Sequence, residues 1–228
     1  MRGYGTTYIH GGSIGGTKYG GYTYTSGTTH VSGGSISGGF YNEGHTTITG
    51  GTFTGGGSGL TGGHVYWNGK GGFTTITGGT FGTNGEGTIY NGGTLSICGS
   101  GWSFGTIFNG ADGRILILGR LTVNIRISIS ITDIVLNTPI ILGGDGYTLT
   151  LDDLQHIEII LPDGYTWKYD EYLHSISITK TTGIKDIMSD AYKSEQYFDI
   201  NGRRLAQPQK GVNIIKTNDG KTKKMILK

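Results

Sequence analysis

Carboxylates are the residues that could give this chain hydrolytic chemistry, because cleavage of a glycosidic bond needs two of them several ångströms apart. Residues 1–113 hold only Glu43, Glu86 and Asp112. Glu43 and Glu86 lie in glycine-rich stretches that are typical of solvated turns, and they would have to meet across at least one repeat of the fold. Asp152 and Asp153 are adjacent, and adjacent residues on a strand face opposite ways. The sequence therefore predicts no catalytic residue, and we expect a protein that is not an enzyme.

Four histidines recur 15 to 20 residues apart, near the length of one coil of a repetitive β fold; they are His10, His30, His45 and His64. Imidazoles on neighbouring coils can bind a metal ion together. These four fall at different distances from the nearest pair of glycines, so they need not share a face. We expect solvated histidines, no metal site and no cofactor.

Pairs of threonines separated by one residue occur at 23–25, 47–49, 52–54 and 75–77. Flat solenoids with regular ranks of such pairs bind ice, but these pairs are unevenly spaced along the chain. Threonine also suits the solvated face of a strand, and that is the interpretation we adopt.

Tyr66 and Trp67 are the best candidates for contact with a ligand. They are adjacent in HVYWNGK, so one of them should point out of the core if this stretch is a regular strand. An exposed ring beside Asn68 and Lys70 could stack on a sugar; the alternative is that the loop at 55–63 covers the ring. A nucleic-acid partner is disfavoured, because this region has almost no basic residues to neutralise phosphates.

These residues lie in a sequence that repeats. An apolar residue, a spacer, two glycines, a hydroxyl and a second apolar residue occur five times: IHGGSI from Ile9, VSGGSI from Val31, ITGGTF from Ile48 and from Ile76, and YNGGTL from Tyr90. The surrounding apolar residues alternate with Thr or Ser, which is the period of a strand with one buried face. Glycine takes a positive φ at a sharp corner without strain.

Short strands, tight corners and a recurring motif are typical of a solenoid, in which each coil buries its apolar face against its neighbours. We therefore predict an all-β chain in which residues 1–113 form a right-handed parallel β-helix. The apolar residues of the motif should point inward and its Thr and Ser outward. An antiparallel meander and a disordered low-complexity tract are the alternatives. Disordered tracts, however, lack such aromatic residues.

The composition changes near Arg114, since residues 1–113 contain 37 of the 46 glycines. From Leu121 to Ile131 apolar and polar residues alternate, which predicts a strand. Two hairpins are predicted next, turning at 143–146 and at 162–164. We expect residues 114–180 to continue the β-helix and then cap it with antiparallel strands, because an open last coil offers unpaired backbone to other chains.

Residues 181–228 are basic, with ten Lys or Arg against five Asp or Glu. We expect a linker at 181–196 and a small β-sandwich-like domain at 197–228, with a hairpin turn at Asn201–Gly202. The stretch contains Tyr197 with DINGRR, the strand KGVNII at 210–215, a DGK turn at 219–221 and a basic ending. This combination resembles the carboxy-terminal sorting domain that Bacteroidota append to proteins exported by the Por (type IX) secretion pathway.

The resemblance implies that Gly202, Arg203, Gly211, Lys223 and Lys224 belong to a sorting motif and that the export machinery is a partner. It implies a secreted protein or one on the outer cell surface. Many members have tyrosine where this chain has asparagine at 213. Residues 1–20 contain no apolar signal-peptide core, so we expect either that the natural amino terminus lies upstream or that the β-helix lacks a proper cap at this end. No apolar stretch of about 18 residues predicts a membrane span.

Taken together, these features predict a secreted or cell-surface β-solenoid that acts as an adhesin, a glycan-binding protein or a passive structural protein. Its expected ligand is an extracellular glycan or a host or cell-surface molecule. The alternative function is that of a carbohydrate-active β-helix enzyme, either a polysaccharide lyase or a hydrolase. The single cysteine, Cys98, cannot form an internal disulfide, and its apolar neighbours predict a buried thiol.

Overall fold

Short strands make up most of the chain, as the alternation of apolar and hydroxyl residues predicts. The computed structural model describes residues 2–55, 60–82, 85, 87–181, 196–199, 201–205, 209–216 and 222–227. The chain divides into two compact units, Met1–Lys180 and Thr181–Lys228. The fold is all-β with mostly parallel sheets. The helical elements with described bounds are short and include α1 (Leu151–Leu154) and 3-10 turns at Thr61–Gly63 and Ile131–Asp133.

One sheet of the first unit, sheet A, has eight strands that all pair in parallel. Their spatial order is also their chain order, so each strand adds to the edge formed by the one before it. The strands are β1 (Arg2–Gly3), β4 (Gly21–Thr23), β7 (Phe40–Asn42), β9 (Tyr66–Asn68), β11 (Ile89–Asn91), β14 (Thr106–Asn109), β16 (Ile125–Ser128) and β18 (Ile157–Ile160).

Between successive strands of sheet A the chain contributes to a second sheet, sheet B. Its main path of parallel strands is β2 (Thr6–Ile9), β5 (Thr28–Val31), β8 (His45–Thr54), β10 (Phe73–Phe81), β12 (Thr94–Ile97), β15 (Arg114–Ile117) and β17 (Pro139–Gly143). The second halves of the long strands β8 and β10 continue this sheet beyond the bend. There β8 pairs with β6 (Ser35–Ser37), β10 pairs with β13 (Trp102–Ser103), and β3 (Ser13–Gly15) pairs with β6. We call one passage through both sheets a coil.

The glycine pairs of the motif lie where the strands of sheet B bend. In β8, a Cβ on the first glycine, Gly50, would lie 2.6 Å from the carbonyl oxygen of Ser32 in the preceding coil. The second glycine, Gly51, has a φ of 92°. The corresponding glycines Gly12, Gly34 and Gly79 share the positive φ. The two glycines of the motif therefore meet different requirements of the same corner. The first allows a close approach between coils, and the second adopts a left-handed backbone.

The fifth copy of the motif serves a different corner. Gly92 and Gly93 follow β11 of sheet A and precede β12, whereas the other pairs lie at the bend of sheet B. In that coil the left-handed residue before β13 is Gly101, with a φ of 94°. Treating YNGGTL as a copy of the motif is therefore wrong, because the same letters fit two kinds of corner.

The core of the first unit consists of rows of similar residues that are paired between coils. One buried row contains Ile9, Val31, Ile48, Ile76, Ile97 and Ile117, and another contains Ile36, Phe53 and Phe81. The prediction that the motif's apolar residues point inward is confirmed at these positions. Threonine is not always solvated, however, since Thr29, Thr46 and Thr74 are buried. The Oγ1 atoms of Thr23 and Thr29 lie 2.7 Å apart.

Parallel pairing continues past residue 113 to β17 and β18. Antiparallel strands then extend sheet B, with β20 (Ser175–Lys180) against β17 and β19 (Tyr165–Asp170) against β20. Neither predicted hairpin forms. The turn at 143–146 leads to α1, and the turn at 162–164 joins β18 of sheet A to β19 of sheet B. Turn residues predict where the chain bends, but they do not predict which sheet the next strand joins.

The alternating stretch at 121–131 forms a shorter strand than predicted. Only β16, four residues long, is strand, and Ile131 is 63% exposed at the start of a 3-10 turn. Leu121 is nevertheless buried, and its backbone N–H donates to a carboxylate oxygen of Asp153 over 2.8 Å. A side chain therefore takes the place of a strand partner at Leu121.

The described part of the second unit is one antiparallel sheet, sheet C. Its order is β22 (Arg204–Leu205), β21 (Gln196–Phe198), β23 (Gly211–Lys216) and β24 (Thr222–Leu227). The second layer that a β-sandwich requires is not among the residues that the structure describes. Most of the expected linker, at 182–195, and the DGK turn at 219–221 also lie outside the described residues.

Candidate functional site

Four asparagines form a hydrogen-bonded column inside the first unit. Asn42, Asn68, Asn91 and Asn109 occupy paired positions at the ends of four adjacent strands of sheet A, and all four are buried. The Nδ2 of each donates to the Oδ1 of the next over 3.0, 2.9 and 2.7 Å. The first three also donate to backbone carbonyls of sheet B. Because its amides are bonded to one another and to the backbone, the column stabilises the stack of coils.

Sequence reasoning misses this column, although the sequence carries a signal for it. Each asparagine directly follows an outward-facing ring, in the dipeptides YN, WN, YN and FN. Glycine is required nearby, because a Cβ at Gly72 would lie 2.6 Å from the Oδ1 of Asn68. The prediction that Asn68 helps an exposed ring to bind sugar is therefore wrong, since Asn68 is fully buried.

Rings stack along the outer side of sheet A. Paired positions on β4, β7, β9, β11 and β14 hold Tyr22, Tyr41, Trp67, Tyr90 and Phe108. Ring centroids are 4.8 Å apart for Tyr22 and Tyr41, 6.1 Å for Tyr41 and Trp67, and 3.9 Å for Trp67 and Tyr90. The planes of these pairs differ by 26° or less. We call this set the aromatic row.

The structure separates the two predicted ligand residues. Tyr66 is fully buried and hydrogen-bonds to Thr74 over 2.9 Å, so a ligand role for Tyr66 is wrong. Burial also raises the pKa of the Tyr66 phenol. Trp67 is the outward ring, as strand alternation predicts, but its faces are turned toward Tyr41 and Tyr90. His64 packs against it as well, at an interplanar angle of 70°. Trp67 therefore has its stacking surface occupied within the protein.

Glu43, the first candidate for a catalytic carboxylate, is bound by phenols of the aromatic row. The hydroxyl of Tyr22 donates to Glu43 over 2.7 Å. Burial, together with the charge and hydrogen bond of Glu43, raises the pKa of Tyr41 to about 12. Burial and the same carboxylate raise the pKa of Tyr22 as well. The second candidate, Glu86, lies outside the described residues.

The other candidate carboxylates, Asp112, Asp152 and Asp153, have structural partners. Asp112 forms an exposed ion pair with Lys70 at 3.0 Å. Asp152 lies 3.4 Å from Arg120 on the surface, whereas Asp153 is fully buried. Both residues lie in α1, so the expectation that they alternate on a strand is wrong. Burial alone would raise the pKa of Asp153. Hydrogen bonds from Thr150, Leu121 and Tyr147 outweigh it and lower that pKa. This carboxylate fastens the segment around α1.

The outer face of sheet B differs from that of sheet A, because it carries rows of hydroxyls. One row is Ser13, Ser35, Thr52, Thr80 and Ser103, and a second includes Thr47, Thr75 and Ser96. The uneven spacing of these residues in sequence disappears in space, since loops of different length leave the strands in register. On β8 and β10, Thr47 pairs with Thr75, but a register shift pairs Thr49 with Gly78, so these two Thr-x-Thr pairs are only partly matched.

Two large rings stand on this face and remain exposed. Tyr8 is 62% exposed and Phe73 is 49% exposed. Phe73 stacks on His45 with centroids 5.0 Å apart, and the strand on its other side carries Thr94 at the paired position. A ring beside a small side chain leaves room for a ligand. Sequence reasoning misses both rings, since alternation does not tell which outward rings have a large neighbour.

Three of the four spaced histidines lie on this same face of sheet B. His10 follows β2, His30 lies in β5 and His45 begins β8. His64 is buried beside Trp67, and its burial lowers the pKa of its imidazole. Among the described residues, no group of three or more His, Cys, Asp or Glu side chains could hold a metal ion together. Cys98 is half-buried, where the sequence predicts a buried thiol.

In the second unit, the glycines expected to belong to a sorting motif have left-handed backbones, and the expected basic residues lie in a turn and in β24. Gly202 has a φ of 78° and Gly211 a φ of 108°. Arg203 is exposed, with its Nε 3.7 Å from Asp199, and Lys224 is an exposed residue of β24. Lys223 pairs with Ile215 through its backbone, and its side chain lies outside the described residues.

Position 213, where tyrosine would fit the motif, holds a buried asparagine. Its side chain accepts a hydrogen bond from the backbone of Gln209 over 2.9 Å and donates to the carbonyl of the same residue over 2.6 Å. Asn213 thus fastens the chain just before β23.

Within the part of the chain that the structure describes, no helix is long and apolar enough to cross a membrane. Comparison with protein-family models, with curated proteins and with solved structures finds no match to this chain.

Proposed function

We propose that this chain is a secreted or cell-surface binding protein, a right-handed parallel β-solenoid that holds extracellular glycans on the outer face of sheet B. The observation that carries the proposal is the composition of that face, where rows of hydroxyls in register run beside two exposed rings, Tyr8 and Phe73. An adhesin built in this way would bind a sugar chain along several coils at once.

The solenoid assignment is supported by the path of the chain. The chain alternates between sheets A and B, and successive strands of each sheet pair in parallel. Connections between parallel strands of one sheet are right-handed in nearly all proteins, which favours a right-handed coil. A passive structural coil stack would have the same path, so a ligand must be sought directly.

A glycan suits this face for chemical reasons. Seryl and threonyl hydroxyls both donate and accept hydrogen bonds, as sugar hydroxyls do. The exposed ring of Phe73 can stack on the apolar face of a pyranose. Trp67, the residue expected from the sequence, has its faces turned toward Tyr41 and Tyr90. We therefore assign the stacking role to Phe73.

A glycan array with the full chain tests the proposal, using Phe73→Ala and Trp67→Ala as a matched pair. Phe73→Ala should weaken retention on the bound glycans by roughly fivefold, since an aromatic contact contributes about 1 kcal/mol. Trp67→Ala should retain glycans as the parent does. Weaker retention of Trp67→Ala with parent-like retention of Phe73→Ala would place the site on sheet A. If the folded parent binds no glycan on the array, a passive structural protein is favoured.

An assay for reducing sugars or unsaturated products on the same preparation tests the alternative of a carbohydrate-active enzyme. We expect no product. Product that disappears in Glu43→Gln or Glu86→Gln would replace the binding function with catalysis, because those two carboxylates are the candidates of the glycine-rich region.

We further propose that the second unit directs export by the Por pathway. The turn at Asn201–Gly202 between β21 and β22 and the left-handed Gly211 at the start of β23 support the proposal. A fluorescent protein carrying a signal peptide and residues 181–228 should reach the surface or medium of a Bacteroidota host with an intact pathway. It should stay in the periplasm of a host that lacks the pathway, and equal retention in both hosts would contradict the proposal.

A further inference from the structure

Three imidazoles cross the outer face of sheet B on a diagonal. Tyr8 pairs with His30, and Thr28 pairs with His45. His10 is two residues beyond Tyr8, and His30 is two residues beyond Thr28. His10, His30 and His45 therefore step across three adjacent strands, each displaced by two residues, and diagonal neighbours of this kind lie about 7 to 8 Å apart. We call them the histidine diagonal.

Every imidazole of the histidine diagonal stacks on an exposed ring. Tyr8 lies against His30 with centroids 5.0 Å apart and against His10 at 6.0 Å, and both pairs are nearly parallel. His45 stacks on Phe73 at 5.0 Å. A cation is attracted to the face of an aromatic ring. Protonated imidazoles can therefore be held in the positions that the structure gives them.

The surroundings of the diagonal provide little negative charge to balance such cations. The outward side chains of β2, β5 and β8 are those of threonines, histidines and Tyr8, and those of β3 and β6 are serines. The neighbouring β10 contributes Phe73 and Thr75. The carboxylate closest in sequence is Glu43, two residues before His45, and it accepts a hydrogen bond from Tyr22 of sheet A. Lys18 is the one lysine or arginine between Gly3 and Gly55 in sequence, and its Nζ lies over the ring of Tyr19.

We propose that the histidine diagonal makes the outer face of sheet B a proton-gated site for anionic polysaccharides. This inference rests on the proposed glycan-binding function and names the class of glycan, a chain that carries carboxylate or sulfate groups. Imidazoles gain positive charge between about pH 8 and pH 5, whereas sugar carboxylates and sulfates stay negative there. The hydroxyl rows beside the diagonal would bind the uncharged parts of the same chain at either pH.

The test measures binding of the full chain to immobilised polygalacturonate, dextran sulfate and uncharged dextran at pH 7.5 and pH 5.5. Affinity for both polyanions should rise roughly tenfold on acidification, because three added ion pairs at the surface contribute about twofold each. Affinity for dextran should not change. The basic second unit also attracts polyanions, but lysine and arginine keep their charge across this range, so its contribution is constant.

The variant His10→Gln/His30→Gln/His45→Gln should lose the rise, and His64→Gln, which alters a histidine outside the diagonal, should keep it. His45→Gln alone should remove about a twofold part of the rise, which provides a second variant if the triple one fails to fold. The rise should also shrink at high salt, because salt screens exposed charges. A rise that survives in the folded triple variant, or no rise in the parent, would overturn the inference.

The same experiment separates this inference from the function on which it rests. Equal retention of polyanions at both pH values would remove the histidine gate and leave the glycan-binding function intact. No retention of any glycan at either pH would remove both. Single-stranded DNA that binds as tightly as polygalacturonate at pH 5.5 would overturn the carbohydrate assignment in favour of nucleic acid.

Discussion

The outer faces of sheets A and B carry equally regular rows of side chains, but the rows have different neighbours. On sheet A, the rings of Tyr41, Trp67 and Tyr90 are large enough to fill the space between coils, and they contact one another. On sheet B, Thr52 and Thr80 are too small to fill the spacing of about 4.8 Å between strands in the same way. A regular row is therefore not in itself a binding site. Large side chains fill the space between coils, and small ones leave the surface open.

The sharpest contrast should come from the buried side of sheet A. Asn68→Ala removes the middle of the asparagine column and takes away the amide donor of the buried Asn91 Oδ1 and of the Thr94 carbonyl. The Nδ2 of Asn42 keeps its bonds to Phe73 and Thr74. We expect the free energy of unfolding to fall by about 3 kcal/mol, because each buried polar group without a partner costs about 1 to 3 kcal/mol. Urea unfolding measures this, with Thr75→Ala on sheet B as the control at about 0.5 kcal/mol or less. Equal losses in the two variants would contradict the comparison.

The buried carboxylate near α1 should have the next largest effect. Asp153→Asn should lower the free energy of unfolding by about 2 kcal/mol, because it disturbs charge-assisted hydrogen bonds from Thr150, Tyr147 and Leu121. The pKa of Asp153 is lowered by folding, so its stabilising contribution is present above the unfolded value of about 4 and is lost as the pH falls further. Unfolding at pH 3 and pH 6 checks this, since the variant should lose less stability between them than the parent. An equal loss would show that other groups control the acid response.

Trp67 should matter for stability and not for glycan binding, whereas Phe73 should matter for glycan binding and little for stability. Trp67→Ala should lower the free energy of unfolding by about 1 to 2 kcal/mol, since it removes stacking on two neighbouring rings. Phe73→Ala should cost about 0.5 kcal/mol or less, because its ring stacks on one exposed histidine. Thermal unfolding of both variants, beside the glycan array, measures this contrast. A stable Trp67→Ala protein would mean that the aromatic row does not join the coils.

The smallest expected effect is the alkaline titration of the aromatic row. Folding raises the pKa of Tyr41 to about 12, so its contribution to stability is present below the unfolded value of about 10 and is lost between about pH 10 and pH 12. Absorbance at the phenolate band, followed from about pH 8 to about pH 12.5, should show Tyr41 ionising well above the pH of about 10 at which a free tyrosine ionises. Glu43→Gln should bring the titration of Tyr41 to lower pH, because it removes a negative charge and a hydrogen bond. An unchanged curve would mean that Glu43 does not hold the phenols.

Much of the strand pattern can be predicted from the sequence, because alternation and paired glycines act locally. The burial of Ile48 and Ile76 and the corner at Gly50 and Gly51 follow from those rules alone. The course of the chain after the turn at 162–164 cannot be predicted in this way. That turn joins β18 of sheet A to β19 of sheet B, and this depends on which strand edges are free. Tertiary pairing therefore decides what turn chemistry leaves open.

The candidate site is less predictable, because outward residues are sorted by their neighbours in other coils. Trp67 and Phe73 look alike in sequence, as aromatic residues beside threonine or asparagine. Loops of different length bring Tyr41 and Tyr90 next to Trp67, but place Thr94 next to Phe73. The register between coils determines which side chains lie next to Trp67 and Phe73. That register cannot be read from the sequence, because the motif is irregularly spaced.

The asparagine column also gives the first unit a direction. From Asn42 to Asn109, each side-chain amide donates its hydrogen bond to the asparagine of the following coil, so the two ends of the column differ. A coil taken from the middle should work as a module that can be duplicated, since it offers an acceptor to the coil before it and a donor to the coil after it. Inversion is not open to such a module. The column ends at Thr23, which pairs with Asn42 but whose hydroxyl hydrogen-bonds to Thr29. A coil added before Thr23 would therefore need a different hydrogen bond to the column.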